Sequence, residues 1–481
     1  MNFVMITVYG SAILLLVLWV FLWFVHILAL VYGKWRLHRK IDQPDTEKQE
    51  DLAGVSILKP LCQSQEHYHL HYICKKLEYE ILFCIQEEAD VHTQAIIKKL
   101  CDSYPDVDVS IYIGGEEVGV NPKINNMTPA YRAAKYPLVL VSDAGIKMKE
   151  DTLLDMVQCM KEKVGLVHQM PFSCDRTGLP AILEKVYFGT GHARIYLSAN
   201  LLGINCATGM SALMRKQLLD NAGGLEAFGC FLAEDFFFAQ SIQDQGYHIV
   251  ISSQPASQNP GQSSITYFQN RISRWTKLRA AMCPHTILLE PISECMVAGG
   301  LAAWASYLLF RTDPLVFYLV HILCWFLSDW VLIHIVQNGS LPFNKFEFMV
   351  MWLFRELGAP YIFLHALLNP GIRWRNLEFR LQWGGKAEVI VHKPTQIDYK
   401  EQKDHVTKDY KNKDEFSLDY RESKSGLLEP TEFYVVKESG YSLKDYKMVG
   451  LNDYKKSMIK DYHMNELNIS SDSGLEMKSV I

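Results

Sequence analysis

Pro137-Leu-Val-Leu-Val-Ser-Asp143-Ala-Gly145 is the stretch whose reading decides the fold. An unbroken aliphatic run too short for a helix, opened by proline and closed by Ser-Asp-x-Gly, has the pattern of a strand buried on both faces. Earlier runs share it: Gly54-Val-Ser-Ile-Leu-Lys-Pro-Leu61, Tyr79-Glu-Ile-Leu-Phe-Cys-Ile85 and Val107-Asp-Val-Ser-Ile-Tyr-Ile113. Helix-length stretches lie between them, such as Thr93 to Tyr104 and Thr128 to Ala134. Strands alternating with helices predict a parallel α/β sheet, whose ligands sit beyond the carboxyl ends of the strands. Asp143 lies just past one such end and Asp90 just past another.

Around this domain the composition is uneven. The 481 residues are 49% hydrophobic and 12% aromatic, with the excess piled at the start and around residues 290 to 370. No Asp, Glu, Lys or Arg occurs before Lys34, and the apolar stretch from Met5 to Tyr32 is long enough to cross about 30 Å of hydrocarbon. It is too long for a signal-peptide core and lacks the basic residues that precede one, so residues 1–33 read as a retained anchor. Lys34, Arg36, Arg39 and Lys40 follow at once, which places that side in the cytosol and the N-terminus in the lumen. Residues 34–290 then read as the cytosolic domain. Long apolar segments return over 291–370, at Cys295 to Phe310, Leu315 to Val336 and Phe348 to Leu368. The first is short for a span, and Arg355 and Glu356 interrupt the third, giving two or three crossings.

Residues 371–391 read as a basic juxtamembrane segment carrying Arg373, Arg375, Arg380 and Lys386. Residues 392–481 are rich in Lys, Asp, Glu and Tyr, the composition of a low-complexity disordered tail. A loose Asp-Tyr-basic unit recurs there from Asp398-Tyr-Lys to Asp461-Tyr-His, too irregularly spaced for a solenoid; it suits a solvated extension or a tyrosine-based docking array. The formal net charge of −5 argues against general nucleic-acid binding, which needs a basic field. Eleven cysteines without a C-x-x-C pair or zinc spacing read as reduced thiols.

Three features carry chemistry. Asp143, with Gly145 leaving room beside it, is placed to hold a divalent metal, Mg²⁺ or Mn²⁺, and through it a diphosphate. Glu234-Asp235 sits within Phe-Leu-Ala-Glu-Asp-Phe-Phe-Phe, where partial burial raises a carboxylate pKa and favours a proton-accepting role; the same pair also suits the start of an amphipathic helix. Arg271 and Arg274 are three apart, so one helical face presents two guanidinium forks to one diphosphate. Ile272, Trp275, Leu278 and Met282 form an apolar stripe beside them, which makes 268–282 an expected helix at the membrane interface. Metal carboxylate, base and cationic clamp, in this order before a membrane block, point to sugar transfer from a nucleotide donor.

These residues belong to longer motifs. Lys59-Pro60, Asp90, Gly114-Gly115 with Val118-Gly-Val-Asn-Pro-Lys123-Ile-Asn-Asn126, Asp143-Ala-Gly145, Leu166-Val-His168, Val186-Tyr-Phe-Gly-Thr-Gly-His192, Cys206-Ala-Thr-Gly-Met-Ser211, Ala233-Glu-Asp235 and Arg271-x-x-Arg274-Trp275-Thr-Lys-Leu-Arg279 resemble the ceramide glucosyltransferase family. The resemblance runs from the anchor to about residue 391. It implies a GT-A fold on the cytosolic face of the Golgi membrane, moving glucose from UDP-glucose to the primary hydroxyl of ceramide with inversion, and it favours three C-terminal spans. It implies that Asp90, Lys59 and Lys123 serve the nucleotide and diphosphate, that Asp143 holds the metal, and that Asp235 is the base. His192 corresponds to an active-site histidine, Arg271, Arg274 and Trp275 close the diphosphate and acceptor side, and Cys206 lies where thiol modification interferes. The sequence departs from the family at Glu87-Glu-Ala-Asp90, where Ala89 replaces a carboxylate, and in the tail. The aspartates and Arg-x-x-Arg-Trp by themselves also fit a processive polysaccharide synthase, and a non-catalytic membrane adaptor with a Tyr-rich tail is the alternative of another class. A homo-oligomer is compatible with the sequence.

Overall fold

A computed structural model describes residues 3–39, 52–61, 77–86, 91–259, 264–374 and 377–390, together with the backbone of 433–434 and 449–450. The chain divides into two compact units, Met1–His392 and Lys393–Ile481. In the second, two short strands pair antiparallel, Phe433 with Gly450 and Tyr434 with Val449. The tail expected to be disordered otherwise lies outside the described residues, as do Asp90 and its neighbours from residue 87.

The first unit opens with helix α1 (Phe3–Arg36), the expected anchor. The runs read as buried strands are β1 (Val55–Leu61), β2 (Tyr79–Ile85), β3 (Asp108–Ile113) and β4 (Leu138–Ser142), with α2 (Val91–Ser103) and α3 (Pro122–Ala133) between them. They lie parallel in the order β3-β2-β1-β4. The strand order reverses between β1 and β4, and the crevice at that reversal is where ligands of such sheets bind. Pro60 is tolerated in an inner strand because the pairing of β1 with β4 stops at Leu58, before the missing N–H can break it.

Beyond β4 come β5 (Ile146–Lys147), α4 (Thr152–Cys159), β6 (Val164–His168), β7 (Pro171–Ser173), α5 (Leu179–Gly189), α6 (Gly191–Leu201), β8 (Ser211–Arg215), α7 (Lys216–Asn221), α8 (Glu234–Asp244), β9 (His248–Ile251), β10 (Ala256–Gln258) and α9 (Ile265–Met282). The sheet extends as β4-β8-β6-β9 and is not parallel throughout, as the alternation predicted. β8 runs antiparallel to both neighbours. Its first residue, Ser211, stands opposite Ser142 at the end of β4, and a strand that starts beside its neighbour's end must run back along it. The consequence is functional, because the loop entering β8 is delivered to the carboxyl end of β4: Asp143 N–H donates to Met210 O at 2.9 Å. A smaller sheet has the order β5-β10-β7, and just after β10 the N–H of Asn259 donates to Gly145 O at 2.8 Å.

The helical block comprises α10 (Thr286–Ile292), α11 (Cys295–Phe310), α12 (Pro314–Gln337) and α13 (Lys345–Leu368). Among the described residues, α1 and α12 are long and apolar enough to cross a membrane, and α10 with α11, bent by 80° at their junction, make a third such segment if taken together. Trp19 Nε1 donates to His321 Nδ1 at 3.1 Å near one end of α12, and His38 meets Val336 O at 2.9 Å near the other, so α1 and α12 lie side by side in the same sense. α13, which carries the stretch Phe348 to Leu368, is not among these by the same measure, and Phe346, Leu357, Tyr361, Leu364 and Leu368 along it are exposed. α13 carries Lys345, Glu347, Arg355 and Glu356, and packs on α5 and α9.

After α13, β11 (Ile372–Trp374), β12 (Leu377–Leu381) and β13 (Ala387–Val389) form an antiparallel sheet. The segment expected to be a basic juxtamembrane stretch is thus a packed element: Ile372, Phe379 and Ala387 bury against Leu232 and Leu278, and Ala387 N–H donates to Cys230 O at 2.9 Å. α9 is covered by this sheet and by α13, so Ser273 and Thr276 are buried along with Phe268 and Ile272. The helix expected at the interface over 268–282 thus packs on protein along these faces, with Thr266, Tyr267 and Asn270 exposed near its start.

Candidate active site

The site is built on an asparagine cap. Asn121 closes the N-terminus of α3, its Oδ1 accepting from the N–H groups of Lys123 and Ile124 with Pro122 at the first helical position, a strong start signal. Asn125 holds the preceding loop by accepting from Val118 and Gly119 N–H at 3.1 Å each. This local structure fixes Lys123 at the end of the sheet. There its Nζ lies 2.9 Å from Asp143 Oδ1, 3.0 Å from Glu234 Oε1 and 3.1 Å from Gly209 O. Burial alone would lower the Lys123 ammonium, but Asp143, Glu234 and Asp235 outweigh it and hold it above the ordinary lysine range. Lys59, fully buried in β1, donates to Asp143 O at 2.9 Å and so sets the turn after β4.

The acidic pair at the start of α8 divides its work. Glu234 is buried and committed on both oxygens, to Lys123 and to Asn121 Nδ2 at 2.9 Å. Asp235 accepts from Gly209 N–H at 2.6 Å and Phe236 N–H at 2.9 Å. Burial, then the charge of Glu234, pushes the Asp235 carboxyl up to about 6, against the pull of Lys123. Gly209 lies close to these groups: a Cβ there would stand 3.1 Å from Lys123 Nζ and 3.2 Å from Asp235 Cβ, so they would have to shift slightly to admit one.

On the other side stands α9. Arg271 Nη2 donates to Gln258 Oε1 at 2.8 Å, and its guanidinium lies 4.8 Å from the Trp275 ring centroid. Its Nη1 is buried with no hydrogen-bond partner. Arg274 lies 5.6 Å from the Trp374 ring, which β11 supplies. Trp275 touches Phe188 and His192 at 6.1 Å each. His192 stacks on Tyr196 at 4.5 Å, and burial, then Arg279 and Arg271, pushes it down to about 3, so it is neutral at physiological pH. Cys206 has its thiol pushed up to about 12 by burial, which keeps it protonated and slow to react. The nine cysteines described are all free.

Lys123, Asp143, His192, Cys206, Glu234, Asp235, Arg271, Arg274 and Trp275 line one cavity of about 680 Å³. Its far wall is apolar and comes from α1 and α13, including Leu22, Val25, Phe354 and Ile362. Of the site residues read from sequence, Lys59 supports this cavity from behind and Asp90 lies outside the described residues. Asn121, Gly209, Gln258 and Trp374 were missed; only Asn121, as a cap before proline, left a local signal. Among the described residues no group of three or more His, Cys, Asp or Glu side chains could cage a metal. The fit is to a cation that arrives with its diphosphate, since Mg²⁺ is commonly held by one or two carboxylates plus phosphate oxygens, and the Asp143 side chain is 34% exposed at the cavity edge.

The profile of glycosyl transferase family 21 matches residues 21–387. Ceramide glucosyltransferase 3 of Caenorhabditis elegans is similar to this chain, 44% identical over 371 residues that cover 76% of this chain and 80% of the relative. Ceramide glucosyltransferase 1 of the same organism is 41% identical over 379 residues, 76% and 79% of the two chains. A solved mannosyltransferase, PcManGT from Pyrobaculum calidifontis in complex with GDP-Man and Mn²⁺, aligns over 74% of this chain and 98% of its own at 18% identity, with a TM-score of 0.37.

Proposed function

This chain belongs to glycosyl transferase family 21, among the ceramide glucosyltransferases, and from that premise we propose its donor, its catalytic residues and its orientation. It is a GT-A enzyme that makes glucosylceramide. The donor is UDP-glucose, and the anomeric configuration inverts. The observation that carries the catalytic reading is one cavity with Asp143, Lys123 and Asp235 at one end and the lipid-compatible wall of α1 and α13 at the other.

In the reaction, Asp235 accepts the proton of the primary hydroxyl as that oxygen attacks the anomeric carbon, and the bond from that carbon to the diphosphate breaks on the opposite face. What supports Asp235 over Glu234 is that Glu234 is ion-paired to Lys123, while Asp235 accepts only from backbone N–H groups and its carboxyl is raised to about 6. Lys123, Arg271 and Arg274 meet the negative charge that develops on the leaving diphosphate; the unpartnered Nη1 of Arg271 is the group best placed to donate to it. A divalent cation held by Asp143 supplies further charge neutralisation when bound. His192, being neutral, orients the acceptor hydroxyl by hydrogen bonding and not by charge. Trp275 forms the wall between clamp and acceptor.

The catalytic domain faces the cytosol in a multi-pass arrangement, and the Golgi membrane follows from the family resemblance alone. Support for the orientation is that two basic sets flank the same domain: Lys34, Arg36 and Arg39 at the end of α1, and Arg373, Arg380 and Lys386 in the sheet packed on Leu232 and Leu278. Three crossings, by α1, by α10 with α11, and by α12, return the chain to the side of the domain.

The test is to incubate membranes carrying the full chain with UDP-glucose and fluorescent ceramide. A single β-linked glucosylceramide is the expected product. A polymer formed without lipid would identify a processive synthase, and no transfer at all would leave the adaptor.

A further inference from the structure

Most of the cavity wall on the membrane side is apolar, so the few polar groups there decide how an acceptor is oriented. Arg279 and Glu290 are already paired, at 2.6 Å. Glu294 is not. It stands at the junction where α10 and α11 bend by 80°, and it is the N-cap residue of α11. Glu294 makes no side-chain cap hydrogen bond to the first turn of α11. Its Oε2 is buried with no partner. Buried polar atoms are costly unless a partner arrives. Breaks in apolar helices are tolerated where they line a cavity, and there they carry ligand-binding groups. The site is close to the chemistry, since Glu294 and Glu290 act electrostatically on Tyr187, whose ring lies 5.5 Å from His192.

We propose that Glu294 is a specificity-determining residue that accepts hydrogen bonds from the amide N–H and the secondary hydroxyl flanking the primary hydroxyl of the lipid acceptor. The proposal rests on reading this cavity as the acceptor site. A carboxylate offers acceptors only, and its two oxygens suit two neighbouring donors. A two-chain lipid whose neighbouring groups are esters, such as a diacylglycerol, presents acceptors in those places and leaves the buried oxygen unpaired. Rejection of such a lipid follows from that mismatch, because a site built to receive donors discriminates strongly against analogues that lack them.

The experiment compares the wild-type chain with Glu294→Gln in detergent micelles, using ceramide, N-methylceramide and diacylglycerol as acceptors. In the wild type, N-methylation should raise the acceptor KM about tenfold or more, the effect of losing a hydrogen bond to a charged group. Glu294→Gln should raise the ceramide KM about tenfold, leave the UDP-glucose KM unchanged and lose most of the penalty for N-methylation. If Glu294→Gln penalises N-methylation as strongly as the wild type does, the proposal is overturned. Should that variant fail to accumulate, Glu294→Asp keeps the charge and shortens the reach; unaltered ceramide KM and discrimination in it would overturn the proposal equally. Failure of the wild type to glucosylate ceramide is a separate result, which sinks the reading of the reaction itself.

Discussion

At the strand ends, Lys123 stands among Asp143, Glu234 and Asp235; in the helical block, Asp329 stands among His26, Arg194 and Arg355. The first cluster has an excess of anions and opens on the cavity, with Asp143 partly exposed. The second is centred on a carboxylate with no exposure, although Arg194 and Arg355 also reach the cavity wall. Asp329 is fully buried, lies 3.3 Å from both His26 Nε2 and Arg194 Nη1, and accepts from Trp352 Nε1 at 2.8 Å. Through one carboxylate it ties α12 to α1, α6 and α13. Arg355 in turn pairs with Glu356 and packs so tightly on Gly191 that a Cβ there would lie 2.1 Å from its Nη1. The difference teaches where charge does chemistry and where it fastens helices. An anion-rich cluster with a partly exposed carboxylate can take a cation, whereas in the second cluster two arginines already face one fully buried aspartate.

That contrast breaks in one of several places. The largest effect is expected from Asp235→Asn, which should lower turnover by about 10² to 10⁴ while UDP-glucose binding persists, because a positioned base is needed for transfer and not for holding the donor. Steady-state assays paired with donor-binding calorimetry check this, and near-normal turnover would move the base elsewhere. Asp329→Ala should act in the opposite way, costing about 3–5 kcal/mol of stability by leaving Arg194 without its carboxylate partner, with kcat per folded enzyme preserved. Thermal unfolding in detergent measures the first part; an unchanged midpoint with a fallen kcat would put Asp329 in the chemistry.

Arg271→Lys and Arg274→Lys keep the charge but lose the planar fork and its stacking on Trp275 or Trp374, so each should lower turnover about tenfold with membrane attachment unaltered. Ordinary turnover in both would reduce α9 to a structural helix. The smallest effect concerns pH. The base works only when ionised, and burial and Glu234 have raised Asp235, so activity should be lost as pH falls through about 6 instead of near the ordinary aspartate range. Glu234→Gln should move that acid limb to lower pH, since a like charge is removed and Lys123 remains; a limb that stays in place would show that burial alone sets it.

Much of the donor side was legible in the chain. The aliphatic runs before Asp143 and after Gly54 and Tyr79 are strands because continuous apolar stretches of that length have no other stable way to bury both faces. The anchor, the pairing of Arg271 with Arg274 on one helix, and the candidacy of Glu234-Asp235 follow from local spacing as well. The acceptor side was less legible. Hydropathy records how apolar a segment is and not what covers it, so the stripe of α9 did not show that α13 and the sheet after it pack against this helix. Glu294 left no local signal, since its meaning comes from a bend and a cavity.

By itself, then, the sequence determined which segments are strands and which are apolar helices, and which side chains have the chemistry for diphosphate and proton transfer; these depend on periodicity and residue type over a few neighbours. The tertiary structure alone decided that β8 runs backward to bring Gly209 against Lys123 and Asp235, and that Glu234 is committed while its neighbour Asp235 is raised. It also decided that α13 and the sheet after it close over α9. The physical reason is that a charge's partner and an apolar face's cover are distances through space between residues far apart in the chain: Asn121 from Glu234, His26 from Asp329, Arg274 from Trp374.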